Sequence, residues 1–549
     1  MATERAPPVS APDASLPEGS LRPVRADGHV LRSARRRIPV PARFWVFAAM
    51  TLAFSVPLVI GLAAVLAPLE AIDVLLVSLF ALNTLWVSAS AATAILGTLD
   101  TDQGKPVPRP AGAVPRERTA VLYLICGEDP TAVARRIEAL HADLARDKTS
   151  GDIDLWLLSD TDSAAAKCEE EVIAPMLASG ILRYRRRVKN LRRKPGNLAD
   201  WVREHGHAYQ NMLVMDADSG MTAARLKDLR LTMEDDPRLG LVQSGISLRP
   251  GGSRFTRLQR LSTRLAGPSF IRGLGAWAGQ AGNYWGHNAL IRVAAFRTAM
   301  DLPALSGPAP YGGDFLSHDF IEAAWLVRAG WKVEISPDMR GSFEDGSDRL
   351  ETFHRRDRRW CQGNLQHIRA LLTRGLHPLS RLHLAFGIQS YLSSPIWLIV
   401  ILLFLLAGMA PGAVPILSGA LALLLVPKIT AMIGFLRRTR RRSRRRVFLR
   451  ASMAELLLST LVSPLVMVRQ SLAVCAVILG RDCGWKGPRR LARPAFPDGS
   501  VECAAGLALV ALAALGGETA YQALWLTLIC GPLIGAPWLY PWLDRDPAR

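Results

Sequence analysis

Long stretches of this chain cannot be satisfied by a water-soluble fold. Phe44 to Ala67 and Ala71 to Leu96 each run for more than 20 residues almost without charge. After a long polar interval come Leu384 to Ala410, Gly412 to Leu436, Val501 to Gly516 and Thr519 to Leu543. About 20 apolar residues in a helix span the hydrocarbon core of a bilayer. The pattern therefore predicts six transmembrane helices around an inserted polar domain, with the lipid bilayer as an obligatory partner. About forty polar residues precede the first run, which is too long for the apolar part of a cleaved signal peptide. Residues 1–43, rich in Pro, Ala and Arg, predict a disordered tail.

The net charge of +20 invites a nucleic-acid reading, but topology explains it better. Nine arginines lie between Arg437 and Arg450, and Arg35, Arg36 and Arg37 stand before the first run. Excess Lys and Arg in short loops marks the cytoplasmic side, and inserting such residues costs about 2.5–3.5 kcal/mol each. Placing that loop in the cytoplasm puts both termini and the polar domain there too, and no nucleic-acid partner is expected. Ala451 to Leu479 is apolar but interrupted by Glu455, Pro464, Arg469 and Gln470, and it predicts an interfacial or re-entrant element that does not cross. The expected order is a cytoplasmic tail (1–43), two transmembrane helices (44–97), a cytoplasmic domain (98–380) and two more helices (381–436). A cytoplasmic stretch (437–500) and a last helix pair with a short tail (501–549) complete it. The seven cysteines show no C-x-x-C spacing, which supports neither a disulfide framework nor a zinc site.

Within the polar domain, short apolar runs alternate with amphipathic ones. Strands are expected at Ala120–Cys126, Ile153–Leu158, Ile181–Tyr184 and Met212–Met215, with helices at Thr131–Leu144, Ala164–Leu177 and Asn197–His205. Such alternation implies an α/β fold with a parallel sheet covered on both faces. Ligands of these sheets bind beyond the carboxyl ends of the strands. Acids stand at three such ends: Glu128 and Asp129, Asp160 and Asp162, and Asp216 and Asp218. Each alone could be a helix cap. The last two form a D-x-D pair, suited to a hard divalent cation that also takes phosphate oxygens. Arg183 to Lys194 holds eight basic residues in twelve. Lys194-Pro195-Gly196-Asn197 precedes an expected helix start, where free N–H groups attract phosphate. Neither a P-loop nor a G-x-G-x-x-G motif is present.

Taken together, these residues resemble the family 2 glycosyltransferases of fold A, which include processive membrane polysaccharide synthases. The matching positions are Glu128, Asp160, Lys194-Pro195-Gly196-Asn197, Asp216 and Asp218, Asp319, and Arg356-Asp357-Arg358-Arg359-Trp360. Four phrases resemble the glucans biosynthesis glucosyltransferase H group: Leu158-Ser159-Asp160-Thr161, Gly282 to Asn288, Ser317-His318-Asp319-Phe320 and Arg356 to Asn364. The resemblance implies a Rossmann-like mixed sheet inserted between membrane helices of the bacterial inner membrane. It implies inverting transfer of glucose from UDP-glucose to a growing β-linked glucan. Asp319 is the expected base. Glu128, Asp160, Lys194, Asp216 and Arg359 would bind the donor, and Trp360, Trp285, His287 and Asn288 the acceptor. Asp218 with Asp216 would hold Mg²⁺ or Mn²⁺. Periplasmic glucan-processing proteins and acyl carrier protein are further partners that the resemblance leaves open. The chain departs from the family pattern in having Arg356 where Gln is usual, and in keeping only the Asp of the T-E-D acid. Two rivals stay in view: an HD-type metal phosphohydrolase, suggested by His318-Asp319, and a cellulose- or hyaluronan-type synthase. The second is suggested by Arg481 to Lys486, which resembles the gating segments of those enzymes.

Overall fold

Thr119 to Ile125 are buried on both faces of their strand, as an inner strand of a covered sheet requires. The computed structural model describes residues 38–100, 109, 112–147, 151–407, 412–483, 497–516 and 520–546. Most of the expected tail, with Arg35, Arg36 and Arg37, lies outside them, as does Gly484-Trp485-Lys486 of the gating-like loop. The main sheet contains β1 (Thr119–Ile125), β2 (Ile153–Ser159), β3 (Leu182–Arg186), β4 (Asn211–Asp216), β6 (Leu239–Ser244), β8 (Ala289–Arg292) and β9 (Lys332–Ser336). Their order is β3-β2-β1-β4-β8-β6-β9. A small sheet of β5 (Gly220–Met221), β10 (Ser342–Glu344) and β7 (Ser247–Leu248) lies apart from it.

The sheet is mixed rather than fully parallel, because β8 runs antiparallel to both β4 and β6. The reason lies in the loop before it. Residues 279–288 reach the carboxyl edge of the sheet, where the Asn288 N–H donates to the Val214 carbonyl at 2.8 Å. The strand therefore enters from that edge and runs back.

Two membrane-side helices, α1 (Ala42–Leu66) and α2 (Ala71–Leu99), precede the sheet. The sheet's helices are α3 (Pro130–Arg146), α4 (Ser163–Ala178), α5 (Arg193–Glu204) and α6 (Ala223–Asp235), followed by α7 (Arg254–Ala278), α8 (His318–Arg328) and α9 (Leu350–Gln366). Asp129 and Asp162 cap α3 and α4, accepting from Thr131 at 2.9 Å and Ala165 at 3.2 Å. These two acids are structural, whereas Glu128 and Asp160 are not spent as caps. One apolar core gathers Tyr123, Ile137, Leu157 and Met215 on one face of the sheet. The other gathers Trp156, Trp201, Val214 and Trp277, and continues into Phe47 and Ala92 of the membrane-side helices.

After the sheet domain come α10 (Pro378–Ala407), α11 (Ala413–Arg438), α12 (Arg442–Ile478), α13 (Ser500–Gly516), α14 (Ala520–Ile534) and α15 (Ala536–Asp544). Five described helices are long and apolar enough to cross a membrane: α1, α2, α10, α11 and α12. The expected span Thr519–Leu543 is not one straight helix, since the segments on either side of Gly535 are bent by 66°. Pro532 and Pro537 flank the break and explain it. Residues 451–478 belong to one continuous 37-residue helix that runs through Pro464, and the polar interruptions Glu455, Arg469 and Gln470 each have a partner. Glu455 pairs with Lys428 at 3.0 Å and accepts from Ser262 at 2.8 Å. Arg469 pairs with Glu502 at 2.6 Å. The two ends of α12 meet different neighbours. Phe448 stacks on Phe435 at the end of α11, while Val474 and Val477 pack on Cys361 of α9.

The seam between α2 and α7 depends on two glycines. A Cβ on Gly97 would fall 1.8 Å from the Ser269 carbonyl oxygen, and one on Gly273 would fall 1.8 Å from that of Thr93. The close approach lets Trp277 donate to Thr93 at 3.1 Å and Arg272 donate to the Gly97 carbonyl at 2.9 Å. Gly273→Ala is expected to lower stability by about 1–3 kcal/mol, because backbone must move to admit the methyl group. Gly531→Ala, with nothing within 4 Å, serves as the neutral control in thermal unfolding of the detergent-solubilised protein. Equal melting temperatures for the two variants would refute the seam.

Candidate active site

β1, β2 and β4 end side by side, so the acids that follow them share the carboxyl edge of the sheet. Their roles diverge there. Glu128 is exposed and folds back to accept the Cys126 N–H at 2.5 Å. Asp160 is buried, and its carboxylate is fully engaged. Arg187 grips it through Nε and Nη2 at 2.8 and 2.7 Å, and Asn197 donates to it at 2.9 Å. Asp160 thus organises the basic loop behind the site. Arg187 also donates to the Leu191 and Arg193 carbonyls, closing that loop.

The Lys194 turn differs from its expected form. The helix begins at Arg193, not Asn197, so the Gly196 N–H already donates to the Arg192 carbonyl at 3.2 Å. Phosphate attraction falls to the Lys194 side chain rather than to free amides. Its ammonium is paired with Asp216. Gly196 is required where it stands, because a Cβ would meet the Leu191 carbonyl oxygen at 2.1 Å.

Asp216 and Asp218 keep 38% and 36% of their side chains open to the cleft. Enclosure by protein raises the Asp218 carboxyl above its usual range, and Asp216 beside it raises it further. For Asp216 the same enclosure is outweighed by Lys194, His287 and Arg356, which hold its carboxyl well below the usual range. His287 lies beneath the pair, with Nε2 3.3 Å from Glu344 and Nδ1 3.1 Å from Ser219. Burial lowers its pKa, but Glu344 and Asp216 carry it up to about 9, so the ring is a cation at neutral pH. Among the described residues, no three His, Cys, Asp or Glu side chains converge to hold a metal unaided. The hard oxygens of the D-x-D pair and the excess negative charge around Asp218 nonetheless fit a divalent cation whose other ligands come from a bound diphosphate.

Asp319 stands in the first turn of α8, and Gly286 lies against it: a Cβ there would be 3.6 Å from its Oδ2. Gly286 has φ +89°, so the loop 282–288 can follow this path only with glycine at that point. Burial raises the Asp319 carboxyl above its ordinary value; Glu322 adds to this, while His318 and Lys194 oppose it. His318 turns away to Glu322, 3.1 Å along its own helix. With no three-residue ligand cluster among the described residues, the HD-type metal reading has no support there.

Within the Gly282 to Asn288 loop, the acceptor assignments of Asn288 and His287 are corrected by the partners these side chains already hold. Asn288 is fully buried, and its amide donates to Ser342 Oγ at 2.8 Å and to the Phe343 and Gly220 carbonyls at 3.2 and 3.3 Å. It joins the two sheets and has nothing left for a sugar. His287 is likewise occupied by Ser219 and Glu344. Trp285 is half-buried against the apolar cluster of Ile271, Ile335 and Met339. Trp360 is different: 37% of it is exposed, so it is not core. Arg356 lies over its ring at 4.9 Å and reaches to 3.9 Å from Asp218. Arg359, beside it on α9, senses the charges of Arg356, Asp216 and Arg193.

The family model described as "Glycosyl transferase family group 2" matches residues 212–410, a range that holds the D-x-D pair, Asp319 and α9. Glucans biosynthesis glucosyltransferase H of Vibrio cholerae is 38% identical over 509 residues, covering 86% of this chain and 70% of that protein. The protein of that name from Xanthomonas campestris pv. campestris is 35% identical over 521 residues, covering 87% and 79%. The chain belongs to the glucans biosynthesis glucosyltransferase H family. It is accordingly a membrane glycosyltransferase of the family 2 group. Among solved structures, the mannosyltransferase PcManGT from Pyrobaculum calidifontis in complex with GDP-Man and Mn²⁺ gives a TM-score of 0.41 at 15% identity. It covers 69% of this chain and 99% of its own.

In this member of the glucosyltransferase H family, sequence reasoning missed Arg187 and Glu344, which hold Asp160 and His287. Arg187 was one of eight basic residues in its stretch with no local mark of distinction. Glu344 comes from β10, more than fifty residues along the chain from His287, and no spacing could pair them. The burial of Asn288 gives a direct test. Its φ of +51° suits Asn and disfavours other side chains, so Asn288→Ala loses three hydrogen bonds and gains backbone strain. Thermal unfolding should show Asn288→Ala less stable than the parent, with Asn288→Gly intermediate because glycine relieves the strain. Parent-like stability in Asn288→Ala would return this residue to the list of ligand-binding candidates.

Proposed function

We propose that this glycosyltransferase polymerises glucose from UDP-glucose into the β-linked backbone, of β-1,2 type, of osmoregulated periplasmic glucans. The observation that carries this reading is the convergence of Asp218, Lys194, Asp319 and the exposed Trp360 around one cleft, in a chain related to proteins named glucosyltransferases. Glu128, at the open end of β1, faces the uridine. Asp160 acts there only through Arg187 and Asn197, which it holds in place.

Lys194, Arg359 and Arg356 line the diphosphate with positive charge, and the cationic His287 keeps Asp216 ionised. Asp218 with Asp216 would hold Mg²⁺ or Mn²⁺, which supplies further charge opposite the departing diphosphate. Trp360 offers an apolar face for the acceptor sugar. Asp319 takes the proton of the attacking hydroxyl, and its raised carboxyl makes it a better proton acceptor than an ordinary aspartate. The attack is a single displacement, so an α-linked donor gives a β-linked product.

The catalytic domain lies in the cytoplasm and the bundle in the inner membrane, with the arginine-rich turn on the inside. We read α12 as running along the membrane interface without crossing, its first turns beside the arginine-rich end of α11 and its last turns on Cys361 of α9. The bundle would then pass the glucan outward.

Purified protein in proteoliposomes with radiolabelled UDP-glucose, followed by linkage analysis of the product, tests the reading. Asp319→Asn should bind UDP like the parent but extend chains about 10²–10⁴-fold more slowly, the usual worth of a positioned base. His318→Ala should be milder. The parent's rate should fall with decreasing pH through an acid limb above 3.8, the ordinary aspartate value, because the base must be ionised and its carboxyl is raised. An acid limb that survives unchanged in Asp319→Asn would sink this assignment. Asp218→Asn and EDTA should each abolish transfer, with Mn²⁺ or Mg²⁺ restoring only the EDTA-treated parent. Undiminished turnover in EDTA would remove the metal from the mechanism.

A further inference from the structure

The turn between α11 and α12 gathers nine arginines between Arg437 and Arg450 with no acidic residue among them. Arg440, Arg441, Arg442, Arg444, Arg446 and Arg450 are exposed, and among the described residues none of the six makes an ion pair. Arg445 is used differently. It donates to the Thr439 carbonyl at 2.6 Å and the Leu436 carbonyl at 2.9 Å, clasping the turn from inside. Phe435 and Phe448 stack across the same corner with centroids 3.7 Å apart. The corner is thus held in one shape, and like charges are kept together that would separate on a floppy loop. Such a cluster attracts anions strongly.

A second feature of α12 says which anions. Leu449, Met453, Leu457 and Leu461 recur every four residues, so they lie along one face of the helix. They are 36%, 50%, 61% and 39% exposed. The opposite side is anchored inward by Glu455, through Lys428 of α11 and Ser262 of α7. A cationic end continuous with an exposed apolar stripe is the pattern of a helix lying in a bilayer surface. A soluble anion would satisfy the arginines and leave the stripe in water. An anionic phospholipid covers both.

We infer that the α11–α12 corner is a docking surface for anionic phospholipid headgroups of the cytoplasmic leaflet, with the stripe on α12 seated among their acyl chains. The inference rests on the reading of α12 as a non-crossing helix. The docked lipid also has a route to the reaction. The same helix carries Gln470, which donates to Asp357 on α9 at 3.0 Å, within one turn of Arg356 and Trp360. Ser394 of α10 donates to Gln470 at 2.6 Å and fixes its amide. Seating one end of α12 therefore sets the position of the catalytic helix, and glucan synthesis depends on anionic lipid.

The test uses the full chain in nanodiscs of phosphatidylcholine alone or mixed with phosphatidylglycerol. Lipid retained by the released protein is read by native mass spectrometry, and glucan synthesis is read in parallel. The parent should retain phosphatidylglycerol and synthesise faster in the mixed discs. A fourfold variant with Arg441→Gln, Arg442→Gln, Arg444→Gln and Arg446→Gln should lose that retention on the order of 10³-fold, the summed worth of four basic residues at an anionic surface. Its rate should be the same in both discs. The matching fourfold Lys variant should behave as the parent. Undiminished phosphatidylglycerol retention in the Gln variant would overturn the inference, as would loss of retention in the Lys variant or a parent rate indifferent to lipid. Inorganic phosphate that replaces phosphatidylglycerol in phosphatidylcholine discs would also overturn it, because the corner would then read a soluble anion. Absence of glucan in every disc would instead fail the proposed function, while lipid retention would still decide this inference.

Discussion

A carboxylate buried on the back of the catalytic helix fixes where everything in front of it can be. Asp357 is 6% exposed and accepts from Tyr391 of α10 at 3.1 Å and Gln470 of α12 at 3.0 Å. Burying an acid among neutral donors is costly unless the donors are held ready, and the Ser394 bond to Gln470 does that. The result is a ring of polar groups joining three helices at one depth. Arg356 directly precedes that anchor and Trp360 follows it by about one turn, with Arg356 over the Trp360 ring. The site's geometry is therefore set by the membrane bundle as much as by the sheet.

From the other side, the sheet delivers charge. The carboxyl edge brings acids from β1, β2 and β4 within reach of one another, and each needs a different answer to its neighbours. Asp160 is neutralised by Arg187 and withdrawn from the cleft. Asp216 takes Lys194 and the His287 cation, and stays ionised. Asp218 has Arg356 3.9 Å away and the His287 cation, but enclosure by protein and Asp216 outweigh both, so its charge is the less compensated of the two. That asymmetry separates the two members of a D-x-D pair that look equivalent in the sequence. It makes Asp218 the place where an added cation relieves the most strain in charge.

Local pattern carried a good deal of this into view beforehand. The four strands and three helices of the first half were legible because hydrophobic period and turn residues are local signals. The acids at strand ends were legible because position follows from strand direction. What could not be read was pairing across the chain. Asn288 looked like a sugar ligand because its neighbours are polar and aromatic, yet its amide is spent on Ser342 and Phe343, over fifty residues away. The start of α5 was placed at Asn197 because proline and glycine usually punctuate. Here Arg192 and Arg193, at φ 55° and 50°, make the turn earlier and let Pro195 sit inside the first helical turn.

The same contrast explains α12. Glu455, Arg469 and Gln470 read as defects in an apolar run, and a run with defects reads as a weak span. Each of them instead points to a different neighbour: Lys428 and Ser262, Glu502, and Asp357 with Ser394. A helix crossing a bilayer with lipid all round could not satisfy three such groups on separate sides. A helix packed among its neighbours α7, α9, α10, α11 and α13 can, because each group meets protein on its own side while Leu449, Met453, Leu457 and Leu461 stay exposed. The polar interruptions are thus the points at which the helix is tied into both halves of the enzyme, and removing them would leave an ordinary apolar segment with nothing to fix its place.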